Sequence, residues 1–263
     1  MSWCILINTT PKYMQLVEVQ VTCIRRYARK LASVPIFLAT EMTEADPRVK
    51  RVLTLENVHH ICLQQSESGF LESRISALDY MQDFDYVLPL QEDFWLDRAP
   101  DMNEALSIIR SDLRVQSIRL MPSPGPHVND ETYKGLWKIL SNYDTYRFTF
   151  QATLWRSAAY VEFLKAILES AKAEFECSGL QQADWSKYCI RVNVAENLKG
   201  QDIFSRVCMR PDKLHLSIER RHAAQNAVYL CPWPYRPTAV VQGSLEPWAK
   251  EFAAREGFVL SWP

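Results

Sequence analysis

Apolar and polar positions along this chain follow two rhythms. Trp3 to Asn8 is a short apolar run closing in the polar trio Asn8, Thr9 and Thr10, the pattern of a buried strand that ends at a polar edge. From Pro11 the period lengthens: Val17, Val21, Ile24, Ala28 and Leu31 recur at helical spacing up to Ala32, and proline is tolerated in a first helical turn. Pro35 to Ala39 repeats the strand pattern, with Thr40 and Glu41 at its end. The charged stretch to Asn57 predicts only local order, and His59 to Leu63 reads as a third strand. A helix follows, which Ser68 can cap and whose buried stripe is Leu71, Ile75 and Leu78. It leads into Tyr86 to Leu90, an apolar run that ends abruptly in Gln91, Glu92 and Asp93.

Strands alternating with helices predict an α/β fold whose central sheet is mixed and mainly parallel, with helices on its faces. In such a sheet the loops leaving the carboxyl ends of the strands form a ligand crevice. Here the crevice would gather Thr9, Thr10, Thr40, Glu41 and Gln91 to Asp93. Two adjacent acids flanked by Leu90 and by Phe94, Trp95 and Leu96 must stay solvated at a cleft, cap a following helix, or meet a cation, and hard oxygen ligands suit Mg²⁺ or Mn²⁺. Arg74, on the helix before this strand, could reach a diphosphate; an exposed, solvated arginine is the commoner outcome for such a position.

Further along, Asp101 to Ile109 reads as a helix and Val115 to Leu120 as a strand. Pro122-Ser-Pro-Gly-Pro126 predicts an irregular loop. Tyr143 to Gln151 is an aromatic, β-prone run, and a helix is expected from Ser157, a natural cap, to Ala171. Glu174 and Glu176 flank Phe175 just beyond it. Residues 179–234 give little periodicity. Ile218 to His222, with His215 before it, fits either a basic lid over phosphates or a solvated face. Pro232 to Pro237 predicts a stiff connector carrying aromatic surface toward an acceptor or a second subunit, and Glu246 to Glu256 predicts a final amphipathic helix ended by Gly257.

Composition narrows the chemistry. With 263 residues, 48% of them hydrophobic, the chain can bury a full core. Its 30 basic and 31 acidic residues leave a net charge of -1, which argues against a nucleic-acid binder held by long-range electrostatics. The start lacks a signal-peptide pattern and no stretch approaches the roughly 18 apolar residues of a spanning helix, so a cytoplasmic protein is expected, with room for peripheral membrane association. Seven cysteines without a Cys-x-x-Cys spacing read as reduced, mostly buried thiols. The seven scattered glycines form neither a dinucleotide fingerprint nor a Walker loop, and Gly-x-Ser-x-Gly and His-Glu-x-x-His are absent. The adjacent His59 and His60 would point to opposite faces of a strand and are read as structural.

The helix bearing Arg74, then Tyr86-Val-Leu-Pro-Leu-Gln-Glu-Asp-Phe-Trp-Leu96, Gln151-Ala-Thr-Leu-Trp155-Arg156 and Glu174-Phe-Glu176 occur in one order along the chain. Together with the tail Ala239-Val-Val-Gln-Gly243-Ser-Leu-Glu-Pro-Trp248, this pattern resembles small glycosyltransferases of the GT-A type, similar to those of bacterial surface-polysaccharide clusters and large DNA viruses. The resemblance implies one GT-A-like catalytic domain over residues 1–263. Residues 1–98 would be its nucleotide-binding half, 99–178 its acceptor half, and 179–263 a lid-like segment, connector and closing helix. It implies a nucleotide-sugar donor, a glycan or lipid-linked acceptor, and a divalent metal on the diphosphate. Gln91-Glu-Asp93 would replace the family's Asp-x-Asp motif, making Asp93 the metal or diphosphate contact and Glu92 its helper; the neutral Gln91 departs from the family pattern and puts metal dependence in question. Thr9, Thr10, Glu41, Arg74 and Gln91 would serve the donor. Gln151, Trp155 and Arg156 would shape the sugar or acceptor pocket, although Trp155 also reads as core. For an inverting transfer Glu176 is the first candidate base, with Glu174 and Asp184 as alternatives. A nucleotidyltransferase and a non-catalytic module of the same fold are the rival readings.

Overall fold

Strand β1 (Trp3–Asn8) is buried along its whole length, because Cys4 and Leu6 pack on one face of the sheet while Ile5 and Ile7 pack on the other. A run that is apolar at every position, not at alternate ones, is what a central parallel strand requires. The computed structural model describes residues 2–64, 71–121, 132–134, 137–140, 150–177, 212–218, 231–236 and 238–262.

The chain continues through α1 (Met14–Tyr27), β2 (Ile36–Thr40), α2 (Pro47–Leu53), β3 (Val58–Cys62), α3 (Glu72–Leu78) and β4 (Tyr86–Gln91). Then come α4 (Asn103–Ser111), β5 (Val115–Arg119), β6 (Thr132–Tyr133), β7 (Trp137–Ile139), β8 (Thr153–Arg156), α5 (Ser157–Cys177) and β9 (Leu214–Ile218). The hairpin β10 (Val240–Val241) and β11 (Ser244–Leu245) precedes α6 (Pro247–Arg255). The nine-stranded sheet has the order β3-β2-β1-β4-β8-β5-β9-β7-β6. Strands β3, β2, β1 and β4 are mutually parallel, as are β5 and β9, while β8 runs antiparallel to both β4 and β5, and β7 to both β9 and β6. The expected mixed, mainly parallel sheet flanked by helices is therefore present. The carboxyl ends of β1, β2 and β4 share one edge, called upper below; the start of β8 reaches the same edge, and its end reaches the lower one.

Several elements depart from their expected bounds for local reasons. Helix α1 stops at Tyr27, and Arg29–Leu31 forms a short 3-10 turn in place of a continuation to Ala32. The segment before Asn57 contains α2, started by Asp46, whose carboxylate accepts from the Arg48 backbone N–H at 2.8 Å, with Pro47 in the first turn. Most of Tyr143 to Gln151, the Pro122 to Pro126 loop and Ser68 lie outside the described residues; the described strand is Thr153–Arg156. Helix α5 runs past Ala171 to Cys177, and the Ser157 hydroxyl donates to the Phe84 carbonyl at 2.6 Å instead of capping the helix.

The connector reading changes, and so does the place of His215; residues 219–222 of the basic stretch lie outside the described residues. His215 is not part of a lid: it is buried in β9, where its Nδ1 lies 2.8 Å from the Ser117 hydroxyl of β5. Leu214–Ile218 is a strand because its side chains fill the core between β5 and β7. The Pro232 to Pro237 segment carries no exposed aromatic surface at Trp233 or Tyr235, which are 0% and 1% exposed. Tyr235 stacks on Phe94 with ring centroids 4.2 Å apart. Among the described residues no helix is long and apolar enough to cross a membrane. Of the described cysteines, Cys4, Cys23 and Cys231 are buried free thiols, and Cys62 and Cys177 are exposed ones.

Arg156 illustrates how strand direction assigns a role. At the lower end of β8 its Nε donates to the Val115 carbonyl at 2.7 Å and its Nη2 to the Asp112 carbonyl at 3.0 Å and to the Ile109 carbonyl, closing the carboxyl end of α4. Arg156→Ala should lower unfolding free energy by about 2–3 kcal/mol, since a charged donor serving several carbonyls is removed, and leave nucleotide affinity unchanged. Urea denaturation together with ligand titration checks both halves.

Candidate functional site

Parallel strands that end in polar residues leave a hollow wherever the following loops diverge. A cavity of about 320 Å³ lies at the upper edge, lined by Asn8, Thr9, Thr10 and Tyr13 after β1, Ala39 and Glu41 at the end of β2, Leu63 after β3, Ser73 and Arg74 of α3, and Gln91 and Glu92 at the end of β4. Six of the residues singled out in the sequence, Thr9, Thr10, Glu41, Arg74, Gln91 and Glu92, thus face one space. Asn8, Tyr13 and Ser73 join them; Asn8 had its signal as the polar terminus of the first apolar run.

Two polar atoms of this lining are buried without a hydrogen-bond partner among the described residues: Asn8 Nδ2 and Glu41 Oε2. A buried donor or acceptor left unpaired costs about 1–3 kcal/mol, so both are available to a ligand that supplies the complementary group. Asn8 is only 6% exposed.

Arg74 is not the solvated arginine expected of its position; it is 5% exposed. Helix α3 packs on α5, and this turns Arg74 inward, with its guanidinium 5.3 Å from the Phe150 ring centroid. Burial lowers its pKa, with Tyr160 and Glu92 opposing that shift. Glu92 is partly buried, and burial pushes its carboxyl up to about 7, with the neighbouring Asp93 charge adding to the shift and Arg74 pulling against it.

The two acids of the sequence motif diverge. The turn after β4 is closed by a bond from Phe94 N–H to the Gln91 carbonyl at 3.2 Å, and Gln20 of α1 donates from below to the Gln91 and Phe94 carbonyls. Glu92 faces the cavity. Asp93 points away from it and accepts from the Thr238 hydroxyl, while the Ala239 N–H donates to the Asp93 carbonyl at 3.3 Å. Burial raises the Asp93 pKa, and hydrogen bonds to the carboxylate from the Thr238 hydroxyl and the Val240 backbone N–H oppose the rise. No sequence signal marked Thr238 as the partner, because 145 residues separate the two.

This geometry tests the metal expected of Glu92 and Asp93. Their carboxylates do not converge on one point, and among the described residues no group of three or more His, Cys, Asp or Glu could hold an ion. Glu41 and Glu92 follow strands separated by β1, so their backbones are about 9–10 Å apart. The charges acting on Glu92 are those of Asp93 and Arg74, not that of Glu41. The described residues do not fit a divalent-cation site.

The remaining candidates are distributed differently. Gln151 lies at the upper edge, just before β8, where it accepts from the Tyr235 hydroxyl. Trp155 is core: it is 1% exposed and stacks on Phe163 of α5 at 4.8 Å, because an inward position on a strand covered by a helix has no access to a ligand. Arg156 serves the lower edge, as described above. Glu176 is exposed on the last turn of α5 and does not line the cavity. Helix α5 starts at the lower edge, where its Ser157 N–H donates to the Asp85 carbonyl at 3.0 Å. At about 1.5 Å per residue the helix is roughly 30 Å long, against about 20 Å for β4. Asp184 lies outside the described residues, as does the side chain of Glu174.

No family model matches the chain, and no curated protein matches it. Among solved structures, S. aureus TarS 1-349 in complex with UDP is similar over 88% of this chain and 64% of its own, with 11% identity and a TM-score of 0.43. Mouse xyloside xylosyltransferase 1 is similar over 90% of this chain and 96% of its own, with 13% identity and a TM-score of 0.44. CMP:2-keto-3-deoxy-manno-octonic acid synthetase complexed with CTP is similar over 83% of this chain and 90% of its own, with 13% identity and a TM-score of 0.43. The chain spans 29% of the longer TarS chain it resembles. Likeness of this degree identifies no reaction.

The Glu92 carboxyl has a measurable signature. A folded-state pKa of about 7 against an ordinary 4.5 means that the folded protein binds the proton more tightly, so stability falls as pH rises from about 5 to 7 and is level above that. Glu92→Gln should flatten this loss and be more stable than wild type by about 2 kcal/mol near pH 8. Chemical denaturation across pH tests it; identical pH profiles for the two proteins would show that Glu92 ionises as a solvated carboxylate.

Proposed function

We propose that this protein is a GT-A-type glycosyltransferase that binds a nucleotide-sugar donor in the cavity at the ends of β1, β2 and β4 and transfers the sugar to a glycan or lipid-linked acceptor. One observation carries the proposal: the upper edge holds a cavity in which uncommitted polar atoms of Asn8 and Glu41 share a lining with the buried guanidinium of Arg74. Hydroxyl- and amide-rich strand ends suit a nucleoside, and a guanidinium suits its phosphates. The sequence resemblance to GT-A enzymes supports the same reading, and residues 1–263 are read as one catalytic domain.

In this reading Asn8, Thr9, Thr10 and Glu41 hold the nucleoside, with Tyr13 beside it. Arg74, Gln91 and Glu92 hold the diphosphate end. Asp93 acts by fixing the turn that presents Glu92, through its bond to Thr238. The donor sugar would extend along the upper edge toward Gln151. An inverting transfer requires a carboxylate to take the acceptor hydroxyl's proton as that oxygen attacks the anomeric carbon and the nucleoside diphosphate leaves. Glu176, exposed at the end of α5, is the proposed base, ahead of Glu174 and Asp184.

The decisive assay incubates the protein with UDP-, GDP-, CMP- and dTDP-sugars and follows release of the nucleotide by chromatography. A saturating nucleotide, at about a hundred times its dissociation constant, should also raise unfolding free energy by about 2.7 kcal/mol. Slow donor hydrolysis with one nucleotide family is the expected outcome. Pyrophosphate release from a nucleoside triphosphate and a sugar would instead make the protein a nucleotidyltransferase, and binding of no nucleotide would leave a non-catalytic module. Glu176→Gln should reduce turnover by about 100-fold or more while the dissociation constant for the nucleotide stays unchanged; equal turnover would remove Glu176 from the reaction.

A further inference from the structure

A diphosphate buried in a cavity must have its charge met there. GT-A enzymes are expected to meet it with a divalent metal, yet the residues that should supply the ligands are otherwise arranged. Asp93 is turned away and bonded to Thr238, Gln91 is neutral, and Glu92 shares the cavity with a guanidinium. We infer that nucleotide binding is independent of divalent metal, with Arg74 supplying the positive charge that would otherwise come from an ion. The inference rests on the nucleotide-sugar reading of the cavity.

Three features of Arg74 support it. The side chain reaches the cavity from α3, opposite the ends of β1 and β4, so a phosphate lodged between strand ends and helix would meet it at the inner wall. Burial at 5% exposure puts the charge in a region of low effective dielectric, where a unit pair at 4 Å is worth several times its value in water. The planar fork can also bind two phosphate oxygens at once, which a point charge cannot do with the same directionality.

Isothermal titration of UDP, GDP, CDP and ADP into the full-length protein, in excess EDTA and again in Mn²⁺ or Mg²⁺, tests the inference on wild type alone. At least one of the four should bind with dissociation constants that agree within about twofold between the two conditions. Arg74→Gln should then weaken that nucleotide by about 100-fold, and Arg74→Lys should recover part of the loss. Circular dichroism melting establishes that each variant is folded. Binding that appears only with Mn²⁺ or Mg²⁺ overturns metal independence and leaves the nucleotide reading standing. Metal-free binding that a folded Arg74→Gln retains overturns the assignment to Arg74. If none of the four binds under either condition, both this inference and the reading beneath it fall.

Discussion

The arrangement of the upper edge depends on how the turn after β4 is held. Gln20 bonds its carbonyls from below, the Trp95 indole donates to the Glu92 carbonyl at 3.0 Å, and the segment around Thr238 and Ala239 bonds it from the side. Each bond is worth only about 0.5–1.5 kcal/mol net, but together they leave the backbone of residues 91–95 little freedom to rotate. Two consecutive acids on a fixed turn cannot address the same point. One is committed to the cavity and the other to the closing segment of the chain.

That commitment shapes the electrostatics of the site. Burial raises the pKa of the Glu92 carboxyl and lowers that of the Arg74 guanidinium, because each loses hydration. Charge held there must be balanced by proximity more than by solvent. Asn8 Nδ2 and Glu41 Oε2, without hydrogen-bond partners among the described residues, add a second demand in the same cavity. A ligand that combines hydrogen-bonding groups with an anionic end can meet both demands at once.

Much of this arrangement is legible in the sequence. The apolar runs at β1, β2 and β4 are short, continuous and closed by polar residues, so both the strands and the gathering of their ends could be read directly. Helix α2 was signalled by Asp46-Pro47 but lies in a charged stretch too short for periodicity to emerge. Exposure statistics describe arginines in general and favour a solvated Arg74, while this one is turned inward by packing of α3 on α5, as its reading as a donor contact requires. Trp155 follows its core reading, and Arg156 departs from its expected place because composition cannot say that β8 runs against its neighbours, and that reversal sends Arg156 to the lower edge. The pairing of Asp93 with Thr238 links residues too distant in sequence for any local pattern to join them.

The reversal of β8 has a wider meaning. By entering the sheet between β4 and β5 in the opposite direction, it splits the upper edge into two territories, one made by the ends of β1, β2 and β4 and the other by the ends of β5 and β9. The first is built entirely from residues before Phe94, the second from residues that come later in the chain. A strand stands between them and contributes its own ladder to both. The hydrogen-bond ladders of the two halves therefore meet only through β8, which makes that strand the element through which a shift in one half would reach the other.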